Sequence, residues 1–133
     1  MTEIEAICGT IPHWERMIEA VRNSLKDPKH ALAGKIPSPK AMFLAIGETW
    51  FGEYCPLCEY DKEQARLDPE FFPGVCQHCP LYKYLGTACG VPGTPWMKVN
   101  NSQTWEEWLN NAYEMLNRLQ ELKIRTLAAQ TKS

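Results

Sequence analysis

The spacing of cysteines constrains this chain more than any other feature. Cys55-Pro-Leu-Cys58 and Cys76-Gln-His-Cys79 are two CxxC pairs separated by 17 residues. Each pair can turn two sulfurs toward one point while freeing backbone N–H groups to hydrogen-bond them, and two pairs complete the tetrahedron that zinc prefers. The expected metal ligands are therefore Cys55, Cys58, Cys76 and Cys79, held as thiolates around one Zn2+. Removing the metal is expected to loosen the stretch from Trp50 to Gly86. An iron–sulfur cluster and a set of buried, unmetallated thiols are the competing readings. Cys89, with nine residues between it and Cys79, has three roles open to it: a replacement ligand, a support behind the ligands, or a small buried hydrophobe. His78 is expected to point away from the metal and Cys8 to be inert.

Composition narrows the setting. At 133 residues, 44% of them hydrophobic, the chain is about one domain with enough apolar material for a core. No stretch approaches the roughly 18 apolar residues of a membrane span. The first residues carry Glu3 and Glu5 where a secretory signal would be basic, so an intracellular, cytoplasmic setting is expected. There, six cysteines point to metal before disulfides. Sixteen acidic and fourteen basic side chains are mixed along the whole length, which argues against a broad phosphate-binding face.

Hydrophobic periodicity predicts a mainly α fold in a single domain spanning 1–133. Trp14, Met17, Ile18, Val21 and Leu25 recur at helical steps, giving a helix over 12–26 with Thr10 as its cap. Residues 29–39 read as a connection, and Ser38-Pro39 as the cap of a short helix stopped by Gly47, with a strand over Ala41 to Ile46 as the open alternative. The segment 50–96 is the expected zinc-binding insert. Within it, Asp61 would cap one or two helical turns, and Pro80 and Gly86 bracket another short helix. Thr104-Trp105-Glu106-Glu107 is a capping box, and an apolar stripe from Trp105 through Trp108, Ala112, Met115, Leu119 and Leu122 predicts a long amphipathic helix over 104–128. At roughly 36 Å it would outreach a small domain. Its stripe must therefore cover another element or form a dimer or partner seam.

A first pair in a knuckle and a second at a helix mouth resemble a treble-clef finger, and the 17-residue gap is similar to that of GATA-type DNA-binding fingers. The basic tail of those fingers is replaced here by Leu81-Tyr82-Lys83-Tyr84-Leu85. More of the chain resembles a group of small cysteine-rich proteins encoded by bacteriophages. The matching residues are His13-Trp14-Glu15, Trp50-Phe51-Gly52, Cys55-Pro56-Leu57-Cys58, Cys76-x-x-Cys79-Pro80-Leu81 and Cys89 leading to Thr94-Pro95-Trp96. Trp96, where those proteins commonly have Tyr, and the inserted Val91-Pro92-Gly93 depart from the pattern. The resemblance implies a phage origin and a role in binding a host protein, such as an antiviral-defence component of the CRISPR type.

The expected function is thus a zinc-stabilised protein-interaction module that inhibits a host factor. The alternative is a nucleic-acid-binding regulator in which Lys62, Arg66, Lys83 and Lys98 converge beside Tyr82, Tyr84 or Trp96. An enzyme is not expected: four thiolates leave zinc no open position, and neither His13 nor His30 has a nucleophile or acid at a suggestive spacing.

Overall fold

The computed structural model describes residues 1–68 and 78–131. Its elements are α1 (Glu3–Lys26), α2 (Pro39–Ile46), a single 3-10 turn (Gly52–Tyr54), α3 (Pro56–Leu67), α4 (Pro80–Leu85), α5 (Pro95–Asn100) and α6 (Trp105–Thr131). Among the described residues there is no strand, so the mainly helical expectation holds. None of these helices is long and apolar enough to cross a membrane.

Helix α1 begins nine residues before the position that its apolar stripe suggests. Thr2 and Glu5 form the capping box: the Glu5 N–H donates to Thr2 Oγ1 at 3.2 Å and the Thr2 N–H to Glu5 Oε1 at 3.4 Å. Pro12 lies inside the helix instead of at its start. Its missing N–H removes one intrahelical bond, and the burial of Ala6, Ile7, Thr10 and Ile11 against the core outweighs that loss. Thr10 is consequently no cap; its hydroxyl donates to the Ala6 carbonyl at 2.8 Å. The stripe runs on through Trp14, Met17, Ile18 and Val21, but Ser24 is buried in place of Leu25, which is 43% exposed.

Helix α2 follows the expected signals: the Ala41 N–H donates to Ser38 Oγ, and Gly47 stops the helix at φ 78° in the left-handed region. In α6 the Glu107 N–H donates to Thr104 Oγ1 at 3.1 Å. The helix continues three residues past the expected end and is about 40 Å long.

The long apolar stripe of α6 turns inward. Trp105, Trp108, Ala112, Met115, Leu116, Leu119 and Leu122 are all buried, chiefly against α1 and α5. Trp14 stacks on Trp108 with ring centroids 6.3 Å apart, while Glu3 and Arg125 border one cleft at the other end, so α1 and α6 run antiparallel. Trp50 and Trp105 close on the same Trp108 ring at 5.6 and 5.8 Å. The stripe is therefore core, with no free seam for a dimer before Ile124 and Leu127, which are exposed.

Candidate metal centre

The cysteine-bearing segments are pinned to this core from three directions. Gly9 of α1 lies against Pro56 at the start of α3, where a Cβ on Gly9 would meet the proline ring at 3.3 Å. Cys55 occupies the N-cap position of α3, Pro56 follows at the first helical position, and Cys58 falls in the first turn. That differs from a zinc knuckle. The Cys58 N–H donates to the Cys55 carbonyl at 3.0 Å, so the first pair is built into a helix start. Cys79 likewise occupies the N-cap of α4, with Pro80 and Leu81 buried behind it. Gly86 ends that helix in the left-handed region, as its sequence suggests.

Asp61 proves to be a brace, not a cap. It sits in the middle of α3, 4% exposed, and its Oδ1 accepts the His78 backbone N–H at 2.8 Å. This bond ties the approach to Cys79 onto the helix that carries Cys55 and Cys58. The His78 ring turns to Asp68, with Nε2 3.8 Å from a carboxylate oxygen. Cys8 is exposed on α1.

Cys55, Cys58, Cys79 and Cys89 line one cavity of about 160 Å³. Trp14, Trp50, Leu57, Leu81, Trp96 and Met115 make most of its remaining wall. Of the expected ligands, Cys55, Cys58 and Cys79 therefore face a common space; Cys76 lies outside the described residues. Among the described residues no three His, Cys, Asp or Glu side chains are yet gathered tightly enough to grip one ion. The treble-clef insert accordingly finds no support in the geometry. The donor chemistry nonetheless fits a thiophilic ion, since the described residues of the wall offer sulfur and no carboxylate.

The sulfur environment favours thiolate. Cys55 is pulled from an ordinary 9.0 to about 7, first by its hydrogen bond with the Cys58 thiol and against the opposing effect of burial. The backbone N–H groups of Cys58 and Leu57 and the Thr10 hydroxyl add to the pull. A Cβ on Gly52 would stand 3.2 Å from Cys58 Sγ, so a side chain there would push that sulfur aside by a few tenths of an ångström. Thr10, Gly52, Asp61 and the tryptophans of the wall are the residues that spacing alone does not flag. Asp61 and Thr10 carried a polar side chain inside an otherwise helical apolar pattern, a signal that capping had absorbed.

Cys89 is held by the turn before α5. Thr94 is buried, and its hydroxyl is shared between the carbonyls of Cys89 at 2.6 Å and Val91 at 2.9 Å while accepting the Met97 N–H. Trp96 donates its indole N–H to the Trp50 carbonyl at 2.6 Å, and Trp50 donates its own to Asn100 at 3.1 Å. The segments before α3 and after Cys89 are thereby locked together.

A second polar group lies apart from the cysteines. His13 is 2% exposed, with Nδ1 2.6 Å from Glu48 Oε1, and Arg16 holds the same carboxylate at 2.9 and 3.1 Å. Burial lowers the His13 pKa from 6.5 against the pull of Glu48, which leaves a neutral ring donating to the carboxylate. For Glu48, burial opposes ionisation, but Arg16 and His13 outweigh it and its pKa falls below 4.5. Arg16 and Glu48 border an open cleft of about 310 Å³ together with His30 and Ile46, and the pair fastens the end of α2 to α1. Compared with protein families, with curated proteins and with solved structures, the chain finds no match in any of the three.

Proposed function

We propose that this chain is a metal-stabilised protein-interaction module, in which thiolates around one zinc ion stiffen the aromatic surface that a partner binds. The observation that carries the reading is the position of that surface. Phe43 and Tyr54 pack 5.9 Å apart, and Phe51 and Trp96 6.0 Å apart. Phe43, Leu44 and Phe51 are 45%, 67% and 41% exposed. Phe51 precedes the Gly52–Cys55 approach to α3, Tyr54 lies within it, and Trp96 is itself part of the cysteine-lined cavity. Clustered aromatics of this kind are typical anchors in protein–protein interfaces. An ion drawing Cys55 and Cys58 toward Cys79 would fix the backbone on which these rings stand.

Four thiolates saturate zinc, so the metal supplies structure and no catalysis. The motif resemblance to small phage proteins makes the partner a host protein in the bacterial cytoplasm, an antiviral-defence component of the CRISPR type being the leading class. For the nucleic-acid alternative, Lys62, Arg66 and Lys83 are exposed, but two of its other residues, Lys98 and Tyr84, are engaged within the chain. Lys98 pairs with Glu114 at 3.4 Å, the Tyr84 hydroxyl is held by Glu121, and Arg125 lies over the Tyr84 ring at 4.8 Å. The test is expression in a host with active CRISPR interference. The wild type should relieve interference and the Phe43→Ser, Phe51→Ser double variant should not, while both retain helical circular dichroism. Equal behaviour of the two forms would remove the aromatic surface from the account, and full interference with both would remove the inhibitory role.

A further inference from the structure

The structure assigns Cys89, together with Cys55, Cys58 and Cys79, to the thiolates that bind a single thiophilic divalent ion. The assignment rests on the metal-thiolate reading above and narrows its ligand set. These four side chains come from three separate pieces of chain: the start of α3, the entrance to α4 and the turn before α5. Convergence of such remote positions on one cavity is not a consequence of local spacing. Nor is Cys89 incidental packing, because its position is specified twice. Thr94 holds its carbonyl, and two residues further on Trp96 ties the same turn to Trp50, beside the first pair.

The cavity chemistry selects the ion. Besides the four sulfurs its wall is tryptophan, leucine, methionine and glycine. Among the described residues of that lining there is no hard oxygen side-chain donor of the kind calcium and magnesium require, whereas zinc binds four sulfurs at about 2.3 Å. A cysteine has one side-chain rotor, and a step between its staggered wells carries Sγ about 3 Å. Inward rotation of the four would close a cavity of about 160 Å³ around the ion and seal it beneath Trp14 and Trp50.

Cobalt reports this coordination directly. Full-length protein is prepared without oxygen, stripped of metal and titrated with Co2+, then with Zn2+ in competition. The wild type should show sulfur-to-cobalt charge transfer and the strong visible bands of a tetrahedral four-sulfur site. Cys89→Ser should lose about a quarter of the charge-transfer intensity and bind at least about tenfold more weakly. Cys89→His should recover affinity with shifted bands, which separates lost ligation from a damaged fold. Bands and affinity of Cys89→Ser that match the wild type would overturn the assignment while leaving a metal-thiolate protein. Iron with acid-labile sulfide in the purified protein would overturn the single ion. A wild type that takes up neither cobalt nor zinc would sink the metal reading and the assignment together.

Discussion

Replacing Asp61 tests whether the two cysteine-bearing segments depend on each other. The carboxylate is 4% exposed and accepts the His78 N–H at 2.8 Å, the bond that fixes the approach to Cys79 against α3. Hydrogen bonds to charged groups contribute about 1.5–3 kcal/mol. Asp61→Ala removes the acceptor and strands a partly buried donor, but alanine favours the helix interior by about 0.5 kcal/mol over aspartate. The net cost should be about 1.5–2.5 kcal/mol, which at this chain length lowers the melting midpoint by roughly 5–10 °C. Asp61→Asn keeps a carbonyl oxygen in the same place and should lose about 1 kcal/mol or less. Urea unfolding of both variants, with and without zinc, reads these values, and the alanine variant should also bind zinc more weakly because Cys79 is no longer held. If Asp61→Ala unfolds within about 0.5 kcal/mol of wild type, or Asp61→Asn is equally damaging, the brace argument fails.

Trp108 touches Trp14, Trp50 and Trp105 and is fully buried, so Trp108→Ala should cost about 3–5 kcal/mol in urea unfolding and remove most of the near-ultraviolet circular dichroism. Thr104→Ala, which deletes the α6 cap, should cost only about 1 kcal/mol in the same assay. Gly52→Ala should leave apo stability nearly unchanged while weakening zinc binding by about tenfold, since the new methyl group crowds Cys58 Sγ; unchanged affinity by competition titration would show the sulfur free to move. For His13 the folded pKa lies below the unfolded 6.5, so between them the unfolded chain binds the extra proton. Stability that is intact above about pH 6.5 should therefore be lost as pH falls through the folded value, with a further loss from Glu48 below about 4.5. His13→Asn should flatten the first of these losses, as followed by urea midpoints at successive pH values.

The helices were readable wherever a cap and a periodic stripe coincided. Ser38 with Gly47, Pro80 with Gly86 and Thr104 with its stripe all do what their residue types dictate. Helix α1 was legible only from its middle, because Gly9 and Pro12 are helix breakers by local preference and only tertiary burial of Ala6, Ile7 and Ile11 carries the helix through them. The six residues of α5 left too little periodicity to register, although Thr94-Pro95 is a legible cap in hindsight. At the cysteines, spacing identified Cys55, Cys58 and Cys79 as sharing a site, since CxxC geometry is local. Whether Cys89 joins them depends on a Thr94-held turn and a Trp96–Trp50 bond, contacts across 46 residues that spacing cannot encode. The knuckle expected at the first pair gave way to a helix start because Pro56 is well suited to the first helical position.

Native mass spectrometry of protein purified without chelator tests the central claim most directly. The account predicts one zinc per chain, its added mass reduced by the thiol protons that the ligands release, and release of that ion by acid or by a strong chelator. An intact mass equal to that of the bare polypeptide, in protein that folds normally, would contradict it.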